Sequence, residues 1–388
     1  MNPEPHIVRS SLADHLPALD GLRALAILLV IPHNGDIFSG AAPWLWPVAL
    51  VVHAGWLGVH LFFVLSGFLI TRNLLASRQA PNYFQAFYGR RVLRIFPLYF
   101  LTLFVALVVL PAVVPFGADA LASHRNQIWL WTFLINWVQP FGVEVSGFSH
   151  FWSLAVEEQF YLIWPLVILA FTGRRFLWIC AALVAIAFGA RVLLLQAGVT
   201  PAASYMFTIC RMDALVIGAA AAVVAESPSS MAMVRKHSGA ALLLVLGLLI
   251  VTAAISHADA TYDTRTLTVG YPLLALAFAL VILVVSLESP DGIARQLRGL
   301  LSVSALRSVG KYSYAMYIFH FPILVLLGPG FRTTFAFAGT AMPLFYAVAA
   351  IVTSYIAGFL SYHLIEKHFL RLKYRFTPIA TTVQRRAA

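Results

Sequence analysis

The chain has 388 residues, of which 61% are hydrophobic and only 11% are charged, and it carries a net charge of +11. Soluble globular proteins carry about 25% charged residues, so this composition excludes an ordinary soluble domain and predicts an all-α, polytopic membrane protein. Positive charge in such proteins usually marks cytoplasmic loops, and we therefore expect no nucleic-acid partner.

The first apolar run contains an arginine and a histidine, Arg23 and His33. An ionisable side chain at membrane depth costs about 2.5–3.5 kcal/mol on insertion scales, so the two residues indicate a functional site. Their ten-position spacing leaves His33 about 80° from the face of Arg23 on a regular helix. A kink at Pro32, which removes one backbone hydrogen bond, could bring the two residues to one face. Otherwise they work from different faces.

Apolar stretches long enough to span the hydrocarbon, which takes about 20 residues, predict about ten transmembrane helices. They are expected near residues 17–37, 46–71, 92–115, 151–172, 175–195, 205–225, 238–256, 268–287, 311–330 and 341–363. The predicted organisation is an N-terminal cytoplasmic segment 1–16, a transmembrane domain 17–363 and a basic cytoplasmic tail 364–388. An aromatic stretch at 127–133 is expected to lie in the membrane interface or to re-enter the membrane.

The lysine and arginine residues fall mainly in alternate loops. If the N-terminus is cytoplasmic, the outward-facing loops contain only Arg125, Arg191, Arg265 and Arg332. Because positively charged loops remain in the cytoplasm, this bias predicts that both termini are cytoplasmic.

Five segments interrupt the apolar pattern with polar residues. In chain order they read DGLRALA, FFVLSGFLIT, RRVLRIFPLY, FWSLAVEEQFYLIWP and YSYAMYIFHFPI. These segments resemble the motifs of the membrane-bound acyltransferase-3 family, and the resemblance covers nearly the whole chain. It implies an integral membrane enzyme that O-acylates a carbohydrate or a glycosylated acceptor. The chain resembles a stand-alone version, without the C-terminal esterase-like domain that some members add.

The resemblance implies that His33 is needed for acyl transfer. An imidazole can accept a proton from a hydroxyl near neutral pH, or it can carry the acyl group covalently, and the residues do not separate these roles. Arg23 is expected to orient the donor or to stabilise a developing oxyanion. The alternative for Arg23 is a structural ion pair with Asp20 or Glu157.

On the fourth predicted span, His150 and Glu157 are expected to face inward as a pair, and one of them would fix the tautomer of His33. The adjacent acid, Glu158, points about 100° away from Glu157. Helix capping by Ser149 or Ser153, with acids in the first turn, is the alternative reading of this segment.

Arg90, Arg91 and Arg94 lie at the cytoplasmic end of the third predicted span. The topology alone explains them, but guanidinium groups also pair with phosphate in a bidentate way. We therefore predict that they bind acetyl-CoA or another acyl-CoA as the donor. No metal is expected, because the histidines are scattered without a ligand spacing.

The remaining polar and aromatic side chains are predicted to bind substrate. They are Trp152, Ser153, Tyr161, His320, Arg211 and Asp213. Ser66-Gly67, in contrast, indicates close helix packing through small residues. The alternative class is a transporter, in which polar residues line a translocation path. The expected location is the bacterial inner membrane, with acyl-CoA, a carbohydrate or glycolipid acceptor and the lipid bilayer as partners.

Overall fold

The computed structural model describes residues 16–113, 125–145, 147–256 and 262–379, and no β-strand occurs within these ranges. The all-α prediction is therefore confirmed. Ten long helices organise the fold: α1 Pro17–Asn34, α2 Trp56–Ser77, α3 Tyr83–Phe104, α4 Trp152–Ala170, α5 Gly173–Gln196, α6 Thr208–Ala225, α7 Ser238–Ile255, α8 Tyr271–Val285, α9 Ser304–Thr334 and α10 Met342–Ser361.

Shorter helical pieces connect or extend these helices. The α-helical pieces are Trp46–His53, Leu110–Val113, Ile128–Trp131, Ile135–Val138, Pro201–Met206, Pro228–Lys236, Gly292–Leu301 and Lys367–Arg371. Single π-helical turns occur at Val105–Val109, Thr266–Gly270 and Tyr362–Glu366, and 3₁₀ turns at Pro43–Leu45, Gln139–Phe141, Ser149–Phe151, Ala336–Ala341 and Leu372–Phe376.

The helix count agrees with a polytopic membrane protein. Within the described chain, nine helical segments are long and apolar enough to cross a membrane, and each contains one of α2 to α10. The first predicted span, α1, falls outside this set because its polar residues, Asp20, Arg23, His33 and Asn34, lower its mean hydropathy. A helix of 18 residues rises about 27 Å, which is close to the hydrocarbon thickness of about 30 Å.

Helix α1 lies at the centre of the bundle. It packs against α2 on one side and against α9 on the other, while α6 packs against α2, α5 and α8. The outer helices α10 and α7 contact α9 and α8, respectively. Most of the first helix is therefore packed against other helices, which is where a membrane protein can hold ionisable groups.

Glycines let the central helices approach at backbone distance. A Cβ atom added at Gly67 of α2 would collide with the Leu215 carbonyl of α6, and one at Gly218 would collide with the Val64 carbonyl. Lipid supplies no hydrophobic force between helices, so close contact of small residues is how such helices associate. The prediction that Ser66-Gly67 marks close helix packing is confirmed.

Two segments predicted as a loop and a tail are docked on the bundle. In the aromatic stretch, Phe133 stacks on Tyr99 of α3 with ring centroids 4.3 Å apart. The chain stays helical to Phe376, past the predicted boundary at residue 363, and Asn82 then bonds the backbone of Thr377 and Ile379. Residues 1–15 and 380–388 of the predicted terminal segments lie outside the described residues.

Gly67→Ala is expected to destabilise the protein by about 1–3 kcal/mol, because the added methyl group would force α2 and α6 apart. Gly247→Ala on α7 is the matched control, since a Cβ atom there meets nothing within 4 Å. Thermal unfolding of the detergent-solubilised protein measures both effects. Equal melting temperatures for the two variants would contradict the close contact.

Candidate active site

Polar side chains of the central helices line a cavity that we name the arginine chamber. Three guanidinium groups face it, from Arg23 on α1 and from Arg91 and Arg94 on α3. Its other polar lining residues are Ser66, Ser153, Glu157, Tyr161, Ser313, Tyr314 and Tyr317. Three guanidinium groups beside one carboxylate make this chamber suited to an anionic ligand.

A second cavity lies toward the other end of α1, and we name it the histidine chamber. Three imidazole side chains line it, those of His33, His53 and His150. The other lining residues are Asn34, Trp56, Val59, Gln139, Ser149, Trp152, Tyr205, Met206, Tyr262, Tyr317 and Phe321. Aromatic rings with a few polar groups are typical of a site that binds an organic ligand.

The two chambers meet at Val59 of α2 and Tyr317 of α9, which line both. Helix α1 runs past both chambers without interruption, because it continues through Pro32 to Asn34. Arg23 and His33 are separated by about 15 Å along this axis. They line different chambers, which agrees with the different-faces alternative rather than with one shared face.

His33 is held by a backbone carbonyl. Its Nδ1 atom lies 3.2 Å from the carbonyl oxygen of Val52. Because a carbonyl oxygen only accepts, Nδ1 must carry the proton, and Nε2 is left with a lone pair. The tautomer of His33 is thus fixed by Val52, and not by Glu157 or His150 as the sequence predicted. The residue has the form that a general base requires.

Glu157 lies in the arginine chamber, whereas His150 lies in the histidine chamber, so the two do not form the predicted pair. The Tyr161 hydroxyl donates to Glu157 Oε2 over 3.1 Å and also contacts Ser66 Oγ. The neighbouring acid, Glu158, does not line the chamber. Arg23 forms an ion pair with Asp20, with 3.4 Å between Nη1 and Oδ1, and it also lines the arginine chamber.

His150 and His320 are in ring contact, with centroids 4.7 Å apart. His320 Nδ1 donates to the Tyr317 carbonyl over 2.8 Å, so its Nε2 accepts from the Asn34 amide, also over 2.8 Å. Neither ring nitrogen of His150 has a hydrogen-bond partner among the described residues. His320 therefore supports the wall of the histidine chamber, while the His150 ring can still form new hydrogen bonds.

The three predicted phosphate-binding arginines are not equivalent. Arg91 and Arg94 line the arginine chamber, and Arg91 lies over the ring of Tyr161 at 5.1 Å. Arg90 does not line it, because its Nε atom donates to the Ala86 carbonyl one turn earlier on α3.

Arg211 and Asp213 belong to a buried charge cluster beside the chambers. Asp213 forms an ion pair with Arg191 at 2.8 Å, and both side chains are fully buried. Arg211 makes no hydrogen bond through its guanidinium among the described residues. It is enclosed by the rings of Phe63, Trp152, Tyr205 and Tyr271, whose centroids lie 4.3 to 5.9 Å away. This position lies behind the chamber walls, and neither residue of the predicted Arg211–Asp213 substrate-binding pair lines a chamber.

The assignment of Arg191 to an outer loop was wrong. It lies within α5, fully buried, because the ion pair with Asp213 compensates its charge inside the bundle. The signal was present in the sequence, since Arg191 and Asp213 each lie inside one of two neighbouring predicted spans. No local sequence pattern indicates that Tyr317 lines both chambers or that the Val52 carbonyl bonds His33. Both features depend on which helices pack together.

Fold and site together define a polytopic helical membrane protein with two adjacent polar chambers inside its bundle. The model of the acyltransferase-3 family, described as an acyltransferase domain, matches residues 16–363, and the chain belongs to this family. The resemblance of the five motifs is thereby confirmed.

Two relatives illustrate the similarity. The peptidoglycan O-acetyltransferase OatA of Listeria monocytogenes is 30% identical over 371 residues, which cover 91% of this chain and 55% of that protein. The O-acetyltransferase OatA of Staphylococcus aureus is 27% identical over 378 residues, which cover 91% of this chain and 57% of that protein. The chain thus spans about half the length of these curated relatives. No solved structure matches it.

Asp213→Ala is expected to destabilise the protein by about 3–5 kcal/mol, because Arg191 is left as a buried charge without its counter-ion. The double variant Arg191→Met/Asp213→Leu removes both charges and is expected to recover most of that stability. Thermal unfolding in detergent measures the difference. A single variant as stable as the parent would mean that the pair is not desolvated as described.

Proposed function

We propose that the protein is a membrane O-acyltransferase that moves an acyl group, expected to be acetyl, from acyl-CoA to a hydroxyl group of a carbohydrate. The observation that carries this proposal is the adjacency of two unlike chambers, one lined by three arginines and one containing His33, whose Nδ1 atom is bonded to a carbonyl so that Nε2 can accept a proton. The names of the relatives support acetyl as the acyl group and a peptidoglycan glycan as a candidate acceptor.

In the proposed reaction, the acceptor hydroxyl in the histidine chamber gives its proton to Nε2 of His33 as its oxygen attacks the acyl carbon. A carbon–oxygen bond forms, the carbon–sulfur bond of the thioester breaks, and the thiolate that leaves takes up a proton. The Val52 carbonyl keeps the imidazole in the reactive tautomer throughout. Direct transfer and a covalent acyl-histidine both fit this arrangement.

The arginine chamber is the proposed site of the donor. Acyl-CoA carries phosphates, and guanidinium groups bind phosphate oxygens in pairs. Arg91 and Arg94 would bind these anionic groups, while Arg23 on α1 would help to orient the donor from the same chamber. The single carboxylate in the chamber, Glu157, is held by Tyr161, which keeps it oriented between the cations.

The positive-inside distribution supports an orientation across a bacterial inner membrane. Arg91 and Arg94, which line the arginine chamber, belong to the arginine-rich stretch of α3 that the charge distribution assigns to the cytoplasmic side, and this end of the bundle is therefore proposed to face the cytoplasm. The histidine chamber would then lie toward the outer side. Acyl-CoA would enter from the cytoplasm, and the carbohydrate would reach His33 from the outside.

His33→Ala is expected to lower kcat/KM for acyl transfer about 100- to 10,000-fold, because the general base is lost. The assay uses the purified protein in nanodiscs, radiolabelled acetyl-CoA and a panel of glycans that includes peptidoglycan fragments. His363→Ala is the matched control, since His363 also bonds a backbone carbonyl, that of Phe359, but lies in neither chamber. Full activity of His33→Ala would exclude His33 as the base. Specific glycan uptake by proteoliposomes without CoA release would instead support a transporter.

Arg91→Ala is expected to raise the KM for acetyl-CoA roughly 10- to 100-fold, the effect of losing a charge-assisted hydrogen bond to phosphate. Arg90→Ala is expected to leave the KM for acetyl-CoA unchanged, because Arg90 does not line the arginine chamber. Initial rates at varied acetyl-CoA concentration measure both constants. An equal increase in KM for the two variants would indicate a general surface attraction rather than binding inside the chamber.

A further inference from the structure

The junction of the two chambers is formed by side chains from two helices. Val59 projects from α2 and Tyr317 from α9, and these residues line both cavities. The ring of Phe62 contacts the Tyr317 ring edge-on at 6.2 Å between centroids. Val59 and Tyr317 therefore stand where the cavity that contains Arg23 adjoins the cavity that contains His33.

Two hydrogen bonds hold the ring of Tyr317 in place at this junction. Its hydroxyl donates to the His150 carbonyl over 2.9 Å, so it accepts the proton of Ser153 Oγ, which lies 2.6 Å away. Ser153 lines the arginine chamber and His150 lines the histidine chamber. The phenol is thus bonded to one residue from each cavity, and the tyrosine side chain is almost completely buried.

We propose that Val59 and Tyr317 form the constriction that selects the acyl group by size. The inference rests on the proposed function, in which the donor occupies the arginine chamber and His33 acts in the histidine chamber. A short acyl group fits between the apolar side chain of Val59 and the fixed ring of Tyr317. A longer acyl group must displace the ring, and this breaks the hydrogen bonds to both Ser153 and His150.

The experiment measures kcat/KM with acetyl-CoA, butyryl-CoA and hexanoyl-CoA, using the glycan that the wild-type protein acetylates best. The wild-type protein is expected to prefer the acetyl donor. Tyr317→Ala is expected to raise the ratio of butyryl to acetyl transfer about tenfold or more, since a single methylene in an apolar pocket commonly changes specificity 10- to 200-fold. The hexanoyl ratio is expected to rise further.

Tyr314→Ala is the matched control. Tyr314 lies on the same helix and lines the arginine chamber, but it does not line the histidine chamber. Any loss of rate in this variant is expected to be equal for all three donors, so the butyryl to acetyl ratio stays at the wild-type value. This control distinguishes the effect of widening the arginine chamber from the effect of widening the junction between the two chambers.

Val59 provides an independent pair of variants if Tyr317→Ala does not fold. Val59→Ala widens the junction from the α2 side and is expected to raise the butyryl ratio, whereas Val59→Phe narrows it and is expected to lower that ratio. Folded variants that transfer acetyl groups with an unchanged ratio would overturn the size selection and leave the proposed function standing. A wild-type protein that transfers no acyl group from any of the three donors would contradict the proposed function itself.

Discussion

The close contact of α1 with its neighbours is the constraint on which the rest of the site depends. A Cβ atom added at Gly310 of α9 would collide with the Asp20 carbonyl of α1, and one at Gly58 of α2 would collide with the Ala26 carbonyl. Glycines on α2 and α9 therefore allow backbone contact with α1 at two points along its length. Because α1 is clamped in this way, its polar residues have fixed depths and fixed directions.

This clamping determines how the two chambers are divided. Arg23 lies near the start of α1 and His33 near its end, and the helix continues through Pro32 between them. The helical twist then directs the two side chains to different cavities, about 15 Å apart along the axis. A single helix thus contributes a guanidinium group to the arginine chamber and an imidazole to the histidine chamber.

The features that depend on composition and local pattern could be predicted from the sequence. Apolar content predicted the helical membrane fold, whereas the sequence left open whether a kink at Pro32 brings Arg23 and His33 to one face. The predicted pairing of His150 with Glu157 failed because Glu157 lies about two helical turns beyond His150 and therefore at another depth in the bundle. The boundary between the two cavities is lined by Val59 and Tyr317, which belong to distant parts of the chain. Sequence spacing contains no information about such neighbours.

The buried cluster behind the chambers illustrates the same limit for electrostatics. Arg211 and Asp213 lie two positions apart in the sequence, and both were predicted to bind substrate. In the bundle, Asp213 instead meets Arg191 from another helix, and Arg211 is surrounded by aromatic rings. Phe63 of this ring set lines the arginine chamber, while Trp152 and Tyr205 line the histidine chamber. The positive charge of Arg211 is therefore separated from each cavity by a single aromatic side chain. The low dielectric of the buried surroundings screens its electric field little.

The choice of a backbone carbonyl as the partner of His33 has a chemical consequence for the proposed reaction. A carboxylate partner would stabilise the imidazolium ion and favour a lasting positive charge on the base. The Val52 carbonyl fixes the same tautomer through Nδ1 but adds no negative charge. Once Nε2 has taken the hydroxyl proton, the imidazolium is less stabilised than it would be beside a carboxylate, and the proton passes on readily. The arrangement therefore suits a base that takes a proton briefly and returns it when the thiolate leaves.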